Sequence, residues 1–415
     1  MKILLVQSPT GRPEVPIFPI GLAYLAGQLS HHDVKGLDLS LNRDYSAVLR
    51  NEIESFDPDI VALSLRNIDD SSYPVTFSYV EPFKEIMGVL DSWNGSVIAG
   101  GTGFSIYPEI LLKLFPRIDY GIPGEGEKVF PELIDHIDKG SDVEEWNGGR
   151  LLPWKQTDLS RISPPDYSFM DLSLYSLPDA IGVQSRRGCA YNCSYCTYSY
   201  LSGKRFRERP VEQVIKDIRE LKDLGVTRFQ FVDSVFNAPE DYFEKLLDAI
   251  EESDCRISWS AWVDESVTFS QLERMKSAGA VKLDFSPDAI TDKGLKKLGK
   301  RGRAADLLPV IRAARKVGFQ VGVNFFNGNP GEGFLAFLKK LLFMVRVRLT
   351  LGWESTFVNI GTIRVYAHSP LADYMKRKGR VDENCDFFEP VFCRKRGPGD
   401  WLYRLFQRVR RLRHG

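Results

Sequence analysis

The stretch RRGCAYNCSYCTYSY, residues 186–200, carries three cysteines within eight residues in a CxxxCxxC pattern. They are Cys189, Cys193 and Cys196. The whole chain has only six cysteines in 415 residues, so this spacing is far from a chance distribution. Glycine, asparagine and serine between the cysteines favour a loop, and an apolar, β-type run precedes it. The pattern therefore predicts a strand that ends in a loop bearing three thiols.

Several roles for three neighbouring thiols have to be compared. Free cysteines are often only small buried apolar side chains. A zinc site needs a fourth soft ligand, but Cys255, Cys385 and Cys393 are isolated and form no CxxC. Disulfides are disfavoured in the cytosol. Three thiolates from one loop suit an iron–sulfur cluster that leaves one iron open for a small molecule.

The sequence around this loop alternates between strand and helix patterns. Strands are predicted from residue 181 onward at 181–187, 228–234, 257–263, 281–286, 319–326 and 357–366, with helical patterns between them. Six βα units indicate a partial (β/α)6 barrel, smaller than the usual eight units. We place this domain at residues 181–370 and a C-terminal extension at 371–415.

An earlier module shows the same α/β alternation. Its predicted strands lie at 2–6, 34–40, 60–66, 96–101 and 118–124. This order predicts an N-terminal doubly wound parallel sheet of the Rossmann-like type over residues 1–145. A linker rich in Pro, Asp and Ser follows at 146–180. Ligands of such sheets bind beyond the carboxyl ends of the strands.

The C-terminal module resembles the radical S-adenosylmethionine (SAM) superfamily, through CxxxCxxC with an aromatic before the last cysteine and through segments such as FVDSVFN, SPDAITDKGLKKLGK and NFFNGNPGE. The resemblance implies a [4Fe–4S] cluster on the three cysteines, SAM on the open iron, and an electron donor such as flavodoxin or ferredoxin. It implies SAM-binding roles for Tyr195, Asp233, Ser234, Asp288, Asn324 and Gly328. Asp288 as a helix N-cap and a plain strand-to-helix turn at 324–332 remain alternatives. Arg364 and Tyr366 either face this site or pack as ordinary strand residues.

The N-terminal module resembles the cobalamin-binding domain that often precedes such a barrel. The matching pieces include PIGLAYLAGQL, VALSLRN, AGGTGF and GIPGEGE. A glycine lacks Cβ and lets the backbone approach a bulky planar ligand. The resemblance implies cobalamin contacts from Arg66, Asn67, Gly100, Gly101, Thr102, Gly124, Glu125 and Gly126.

The first loop, residues 8–19, departs from many cobalamin domains because it lacks DxHxxG and contains no histidine. His31 and His32 fall away from the expected ligand rim. We therefore predict cobalamin bound without a protein imidazole. Arg66 is predicted to occupy the lower axial side without ligating, because a guanidinium stays charged and is a poor ligand. The alternative is that Arg66 pairs with Asp69 or Asp70.

The composition of the chain argues against two classes of partner, nucleic acids and membranes. Lys plus Arg and Asp plus Glu number 55 each, so a global basic field for nucleic acid is absent. The apolar run at 334–353 is interrupted by Lys and Arg, which predicts a buried or amphipathic helix rather than a membrane span. The N-terminal sequence does not match a signal peptide. These features predict a cytoplasmic protein without membrane or nucleic-acid partners.

Together the two resemblances predict a cobalamin-dependent radical SAM enzyme. They imply methylation of an unactivated carbon or phosphorus of a small molecule or peptide, through a 5′-deoxyadenosyl radical and methylcobalamin. A rearrangement, ring contraction or oxidative cyclisation with the same cofactors is the alternative, followed by a non-catalytic cofactor-binding sensor. The sequence identifies no catalytic acid–base residue.

Overall fold

The computed structural model describes residues 1–10, 16–140, 149–352, 355–394 and 397–414. The first module is a five-stranded parallel sheet in the order β2-β1-β3-β4-β5. Its strands are β1 (Lys2–Gln7), β2 (Asp33–Asp38), β3 (Ile60–Ser64), β4 (Ser96–Gly100) and β5 (Tyr120–Ile122). Residues 3–6 of β1 are fully buried, as expected for a strand covered on both faces. The predicted doubly wound sheet is confirmed.

Helices cover both faces of this sheet. They are α1 (Ile20–Gly27), α2 (Tyr45–Phe56), α3 (Val80–Leu90), α4 (Thr102–Ile106), α5 (Pro108–Leu114) and α6 (Val129–Asp138). The Asp44 side chain caps α2 by accepting a hydrogen bond from the Ala47 N–H at 3.1 Å. His31 and His32 lie in the turn between α1 and β2, away from the carboxyl ends of the strands.

The second module has six parallel strands, β6 (Gly182–Val183), β9 (Arg228–Phe231), β10 (Ser258–Val263), β11 (Ala280–Asp288), β12 (Gln320–Asn327) and β13 (Thr356–Val365). They lie in the order β13-β12-β11-β10-β9-β6, which confirms the partial barrel. The prediction of one strand over 181–187 is wrong in detail. The chain breaks after β6, and β7 (Arg186–Arg187) pairs instead with β8 (Arg207–Glu208) in an antiparallel ribbon.

The helices of the second module surround its sheet. They are α7 (Tyr198–Ser202), α8 (Val211–Asp223), α9 (Glu240–Glu252), α10 (Phe269–Ser277), α11 (Asp292–Leu298), α12 (Leu307–Val317) and α13 (Phe334–Leu351). The C-terminal extension adds α14 (Pro370–Arg377), β14 (Val391–Cys393) and α15 (Pro398–His414). Strand β14 runs antiparallel along the edge of β13. Within the described ranges no helix is long and apolar enough to cross a membrane.

Two short 3₁₀ turns, Tyr167–Phe169 and Leu172–Tyr175, lie in the linker and hold the modules together. Phe18 of the first module stacks on Tyr167 at 5.7 Å between ring centroids and meets Tyr175 edge-on at 5.3 Å. The Tyr175 hydroxyl donates to the Asp38 carboxylate at 2.9 Å. The linker is thus a packed part of the core rather than a loose tether.

Candidate functional site

The three cysteines share one loop at the carboxyl end of the first barrel strand, and each is partly exposed. Backbone hydrogen bonds fix the loop: Cys189 N–H donates to Gly203 at 3.1 Å, and Cys196 N–H to Cys193 at 3.1 Å. Gly188 has φ of 77° and its would-be Cβ lies 2.0 Å from the Arg205 carbonyl, so only glycine fits before Cys189. Burial raises the pKa of the Cys196 thiol to about 11.

The three cysteine thiols fit an iron–sulfur cluster better than a single metal ion. Among the described residues no three His, Cys, Asp or Glu are close enough to hold one metal ion. The cysteines of a [4Fe–4S] cluster each bind a different iron, so such a set stands wider apart than the ligands of one ion. The three thiols nevertheless act on one another electrostatically. No fourth cysteine belongs to the loop.

Tyr195 and Asp288 meet beside this loop. The Tyr195 hydroxyl donates to the Asp288 carboxylate at 2.5 Å, and the Lys300 ammonium lies 2.5 Å from the same oxygen. Burial alone would lower the pKa of Lys300, but Asp288 and Cys193 raise it, so the ammonium stays charged. The N-cap reading of Asp288 is wrong, since Thr291 caps α11. Lys300 is a site residue that sequence reasoning missed, although LGK ends the quoted segment.

Asp233 is buried just beyond the carboxyl end of β9 and does not lie at an open surface. Its carboxylate is fully buried and accepts from the Ser185 N–H at 2.9 Å, the Ser185 hydroxyl at 2.5 Å and the Arg186 N–H at 3.1 Å. The Ser234 hydroxyl donates to the Gly188 carbonyl at 3.0 Å. In this structure both side chains hold the start of the cysteine loop, and their predicted SAM contact remains a prediction.

The turn after β12 is tied to the rest of the barrel by buried polar groups. Gly328 has φ of 79°, and its would-be Cβ lies 2.8 Å from the Cys393 carbonyl. Glu332 accepts from the Ile290 N–H at 2.9 Å and pairs with the buried ammonium of Lys340. Asn324 is half-buried within β12. A plain strand-to-helix turn is therefore enough to explain the residues of this segment, and a SAM contact from Asn324 or Gly328 stays a prediction.

A cavity of about 390 Å³ lies where the carboxyl ends of the first sheet face the barrel. It collects most of the predicted cobalamin residues, namely Arg66, Gly100, Gly101, Thr102, Gly124, Glu125 and Gly126. The barrel contributes Tyr198, Leu201 and Ser202 of α7, which begins two residues after Cys196. Gly21 of α1 also lines the cavity, and a Cβ there would meet nothing within 4 Å. The cavity thus lies between the glycine-rich loops and α7, the helix that follows the cysteine-bearing loop.

The glycine loops are also required by internal packing. Gly101 has φ of 98°, and its would-be Cβ lies 2.7 Å from the Leu65 carbonyl. Gly124 has φ of 80° and packs against the Trp154 indole. The Thr102 hydroxyl donates to the Arg66 carbonyl. These contacts shape the cavity wall, so the glycines have a structural reason besides ligand approach.

Arg66 projects into the cavity. Arg66 is exposed at the cavity, yet the surrounding protein removes enough water from the guanidinium to lower its pKa, and the Asp38 carboxylate opposes this shift. Asp69 pairs instead with Arg364 at 2.8 Å, and Asp70 accepts from the N–H groups of Ser72 and Phe77. Within the part of the chain that the structure describes, the alternative pairing of Arg66 with Asp69 or Asp70 is therefore wrong. Asn67 is exposed beside it.

Ion pairs across the domain boundary fix this geometry. Glu125 pairs with Arg207 and accepts from the Thr157 N–H at 2.7 Å, so its carboxylate serves the interface. Glu127 pairs with Arg187, two residues before Cys189. Arg364 of β13 and Tyr366, just after the end of this strand, both contact Asp69 of the first module, at 2.8 and 3.0 Å. The sequence predicted that Arg364 and Tyr366 either face the SAM site or pack as ordinary strand residues. It did not predict that they contact the first module.

Glu265, just beyond the carboxyl end of β10, is a second residue that sequence reasoning missed. Its Oε1 is buried without a hydrogen-bond partner among the described residues. Burial raises its pKa to about 7, with Lys300 opposing the rise and Asp264 and Asp288 adding to it. A carboxyl group of this kind at a strand end can hold or release a proton near neutral pH.

Comparison with known proteins agrees with both modules. The radical SAM superfamily model matches residues 183–339, and the B12 binding domain model matches residues 10–134. An uncharacterized methyltransferase of Pyrococcus horikoshii is 28% identical over 80% of this chain and 75% of its own length. The hopanoid C-3 methylase of Methylococcus capsulatus is 23% identical over 74% of this chain and 60% of its own length.

Among solved structures, the radical SAM methyltransferase TsrM of Kitasatospora setae, with tryptophan and a SAM analogue bound, is similar in fold. The TM-score is 0.78 at 23% identity, over 91% of this chain and 76% of TsrM. The chain belongs to the radical SAM superfamily, in the group of enzymes whose barrel follows a B12-binding domain. The two family models imply a [4Fe–4S] cluster, SAM and cobalamin as its cofactors.

Proposed function

We propose that this enzyme is a methyltransferase that transfers a methyl group to an unactivated carbon, or to phosphorus, of a small molecule or peptide. The observation that carries the proposal is the shared cavity: α7, directly after the cysteine loop, faces the glycine loops of the B12-binding module. Relatives named as methyltransferases support it, including the tryptophan 2-C-methyltransferase of Streptomyces laurentii at 22% identity over 56% of this chain.

Different residues of the chain would hold the cluster, SAM and cobalamin. Cys189, Cys193 and Cys196 would hold the cluster, and Asp288 with Tyr195 and Lys300 would orient the nucleoside of SAM beside it. The glycine loops and Arg66 would hold cobalamin, while the interface ion pairs keep the two loops together and water out. When bound, the cluster and SAM supply a radical and cobalamin carries the methyl group. An electron donor such as flavodoxin or ferredoxin would reduce the cluster in the cytoplasm.

A cyclisation or rearrangement with the same cofactors is the second candidate. The anaerobic magnesium-protoporphyrin IX monomethyl ester cyclase of Rubrivivax gelatinosus is 23% identical over 76% of this chain and 59% of its own length, which favours keeping it. Its chemistry would consume SAM without forming S-adenosylhomocysteine.

The test uses reconstituted protein with cobalamin, deuteromethyl-SAM, dithionite and a fractionated metabolite extract. Methylation predicts cobalamin-dependent S-adenosylhomocysteine together with a product heavier by one deuteromethyl group. 5′-Deoxyadenosine without S-adenosylhomocysteine would contradict methylation and favour the second candidate. No product of either kind would favour the sensor. The Cys196→Ser variant serves as the control that forms no 5′-deoxyadenosine.

A further inference from the structure

Helix α13 has two apolar faces, of which only one is covered. Ala336, Phe337 and Val347 are buried against the barrel. On the other side Leu335, Leu342 and Leu349 are 72%, 69% and 71% exposed. Their spacing of seven residues is close to two helical turns, so the three leucines form one stripe. Scattered exposed leucines need no explanation, but an aligned stripe is typical of a contact surface.

Helix α15 extends this surface. Trp401 is 66% exposed and Leu405, one turn later, is 43% exposed. The two helices approach each other at their first turns, where a Cβ added to Gly399 would lie 3.5 Å from the Phe334 ring. Phe337 and Tyr403 then pack at 6.1 Å between ring centroids. We call α13 and α15 together the apolar-basic surface.

The charges of this surface are mostly positive. Helix α13 contains no acidic residue, and its basic residues other than Lys340, which is buried and pairs with Glu332, are Lys339, Arg346 and Arg348. Helix α15 contains one acidic residue, Asp400, and the basic residues Arg404, Arg408, Arg410, Arg411 and Arg413. Lys339, Arg346, Arg404 and Arg408 are exposed, and of these Arg404 pairs with Asp400 at 3.3 Å. The chain as a whole is neutral, so this is a strong local excess.

We propose that the apolar-basic surface docks the protein on an anionic lipid bilayer, lying in the interface without spanning it. An apolar stripe flanked by Lys and Arg is the pattern of a helix that inserts its leucines between headgroups while its basic side chains contact lipid phosphates. An exposed tryptophan suits the same depth. A second copy of the chain is a poorer occupant, because two such surfaces would oppose like charges. The proposal departs from the prediction of no membrane partner, and it requires no spanning helix.

Flotation of the reconstituted full-length protein with lipid vesicles tests this. Vesicles of phosphatidylcholine with phosphatidylglycerol should carry the protein upward, salt should weaken binding, and vesicles of phosphatidylcholine alone should leave most of it below. Leu335→Gln/Leu342→Gln/Leu349→Gln should reduce the bound-to-free ratio at least about tenfold. Lys339→Gln/Arg346→Gln/Arg408→Gln should remove the preference for the anionic lipid.

The matched control is Leu114→Gln/Leu174→Gln/Leu224→Gln, which changes three exposed leucines elsewhere and should bind like the native protein. Unchanged circular dichroism and iron content establish that each variant is folded. Failure of the native protein to bind anionic vesicles, or equal loss in the control, would overturn the proposal. So would a dimer of the native protein in light scattering that the stripe variant alone converts to monomer, since the occupant would then be a second copy.

Discussion

Arg187 and Glu127 form a buried ion pair that joins the strand before Cys189 to the glycine loop of the B12-binding module. Burial alone would raise the pKa of Glu127 and lower that of Arg187, yet the pair reverses both shifts. Both groups are therefore charged, and each depends on the other for its stability in the interior. This pair physically connects the expected cluster site to the expected cobalamin site.

Removing one member of that pair should destabilise the protein strongly. Glu127→Ala leaves the Arg187 guanidinium buried and unpaired, so the free energy of unfolding should fall by about 3–5 kcal/mol in denaturant titrations. The double variant Glu127→Leu/Arg187→Met should recover most of the loss. The exposed pair Asp158–Arg161 gives the control, since both side chains are in solvent and Asp158→Asn should change the free energy of unfolding far less than Glu127→Ala. Equal, small losses at both pairs would contradict the structure.

Parts of this interface could not be read from the sequence. The strands were predictable because their apolar runs are buried on both faces, and most observed bounds agree within a few residues. Glu125 and Asp233 were predicted as ligands because their segments, GIPGEGE and FVDSVFN, resemble those of the two families. Their actual partners, Arg207 and Ser185, are 82 and 48 residues away in sequence, and no local pattern encodes such pairings. The break at residues 184–185 likewise depends on pairing with β8.

The titration of Glu265 should make stability depend on pH in the protein without cofactors. Its pKa of about 7 in the folded protein exceeds the usual 4.5, so the folded state holds more protons between these values. The free energy of unfolding should therefore fall as pH rises from about 4.5 to about 7, by at most about 3 kcal/mol. Comparing the native protein with Glu265→Gln at about pH 5 and about pH 8 isolates this group. A difference that does not change with pH would refute the assignment.

Asp288 should matter for SAM rather than for the cluster. Asp288→Asn removes the charged acceptor that Tyr195 and Lys300 share, so the Kd for SAM should rise about tenfold or more by equilibrium dialysis. Iron and sulfide content should not change. Asp306→Asn, at a surface ion pair, is the control and should bind normally. An unchanged Kd in Asp288→Asn would remove Asp288 from the SAM site.

Replacing Arg66 by alanine should alter the optical spectrum of bound cobalamin. Because its guanidinium lines the cavity and has no ion-pair partner among the described residues, Arg66→Ala would open space there for water or another ligand. The visible bands of the holoprotein should shift relative to the native protein and to the surface control Arg50→Ala. Identical spectra in all three would show that Arg66 does not adjoin the cobalt.

Cys189, Cys193 and Cys196 should hold a [4Fe–4S] cluster with one iron open to SAM. Electron paramagnetic resonance of the reduced, anaerobically reconstituted protein tests it most directly, with Cys255→Ser as the matched control. We expect a cluster signal in the native protein and in Cys255→Ser that changes when SAM is added, and we expect this signal to be lost in Cys189→Ser, Cys193→Ser and Cys196→Ser. A signal that persists in those three variants, or that ignores SAM in the native protein, would contradict it.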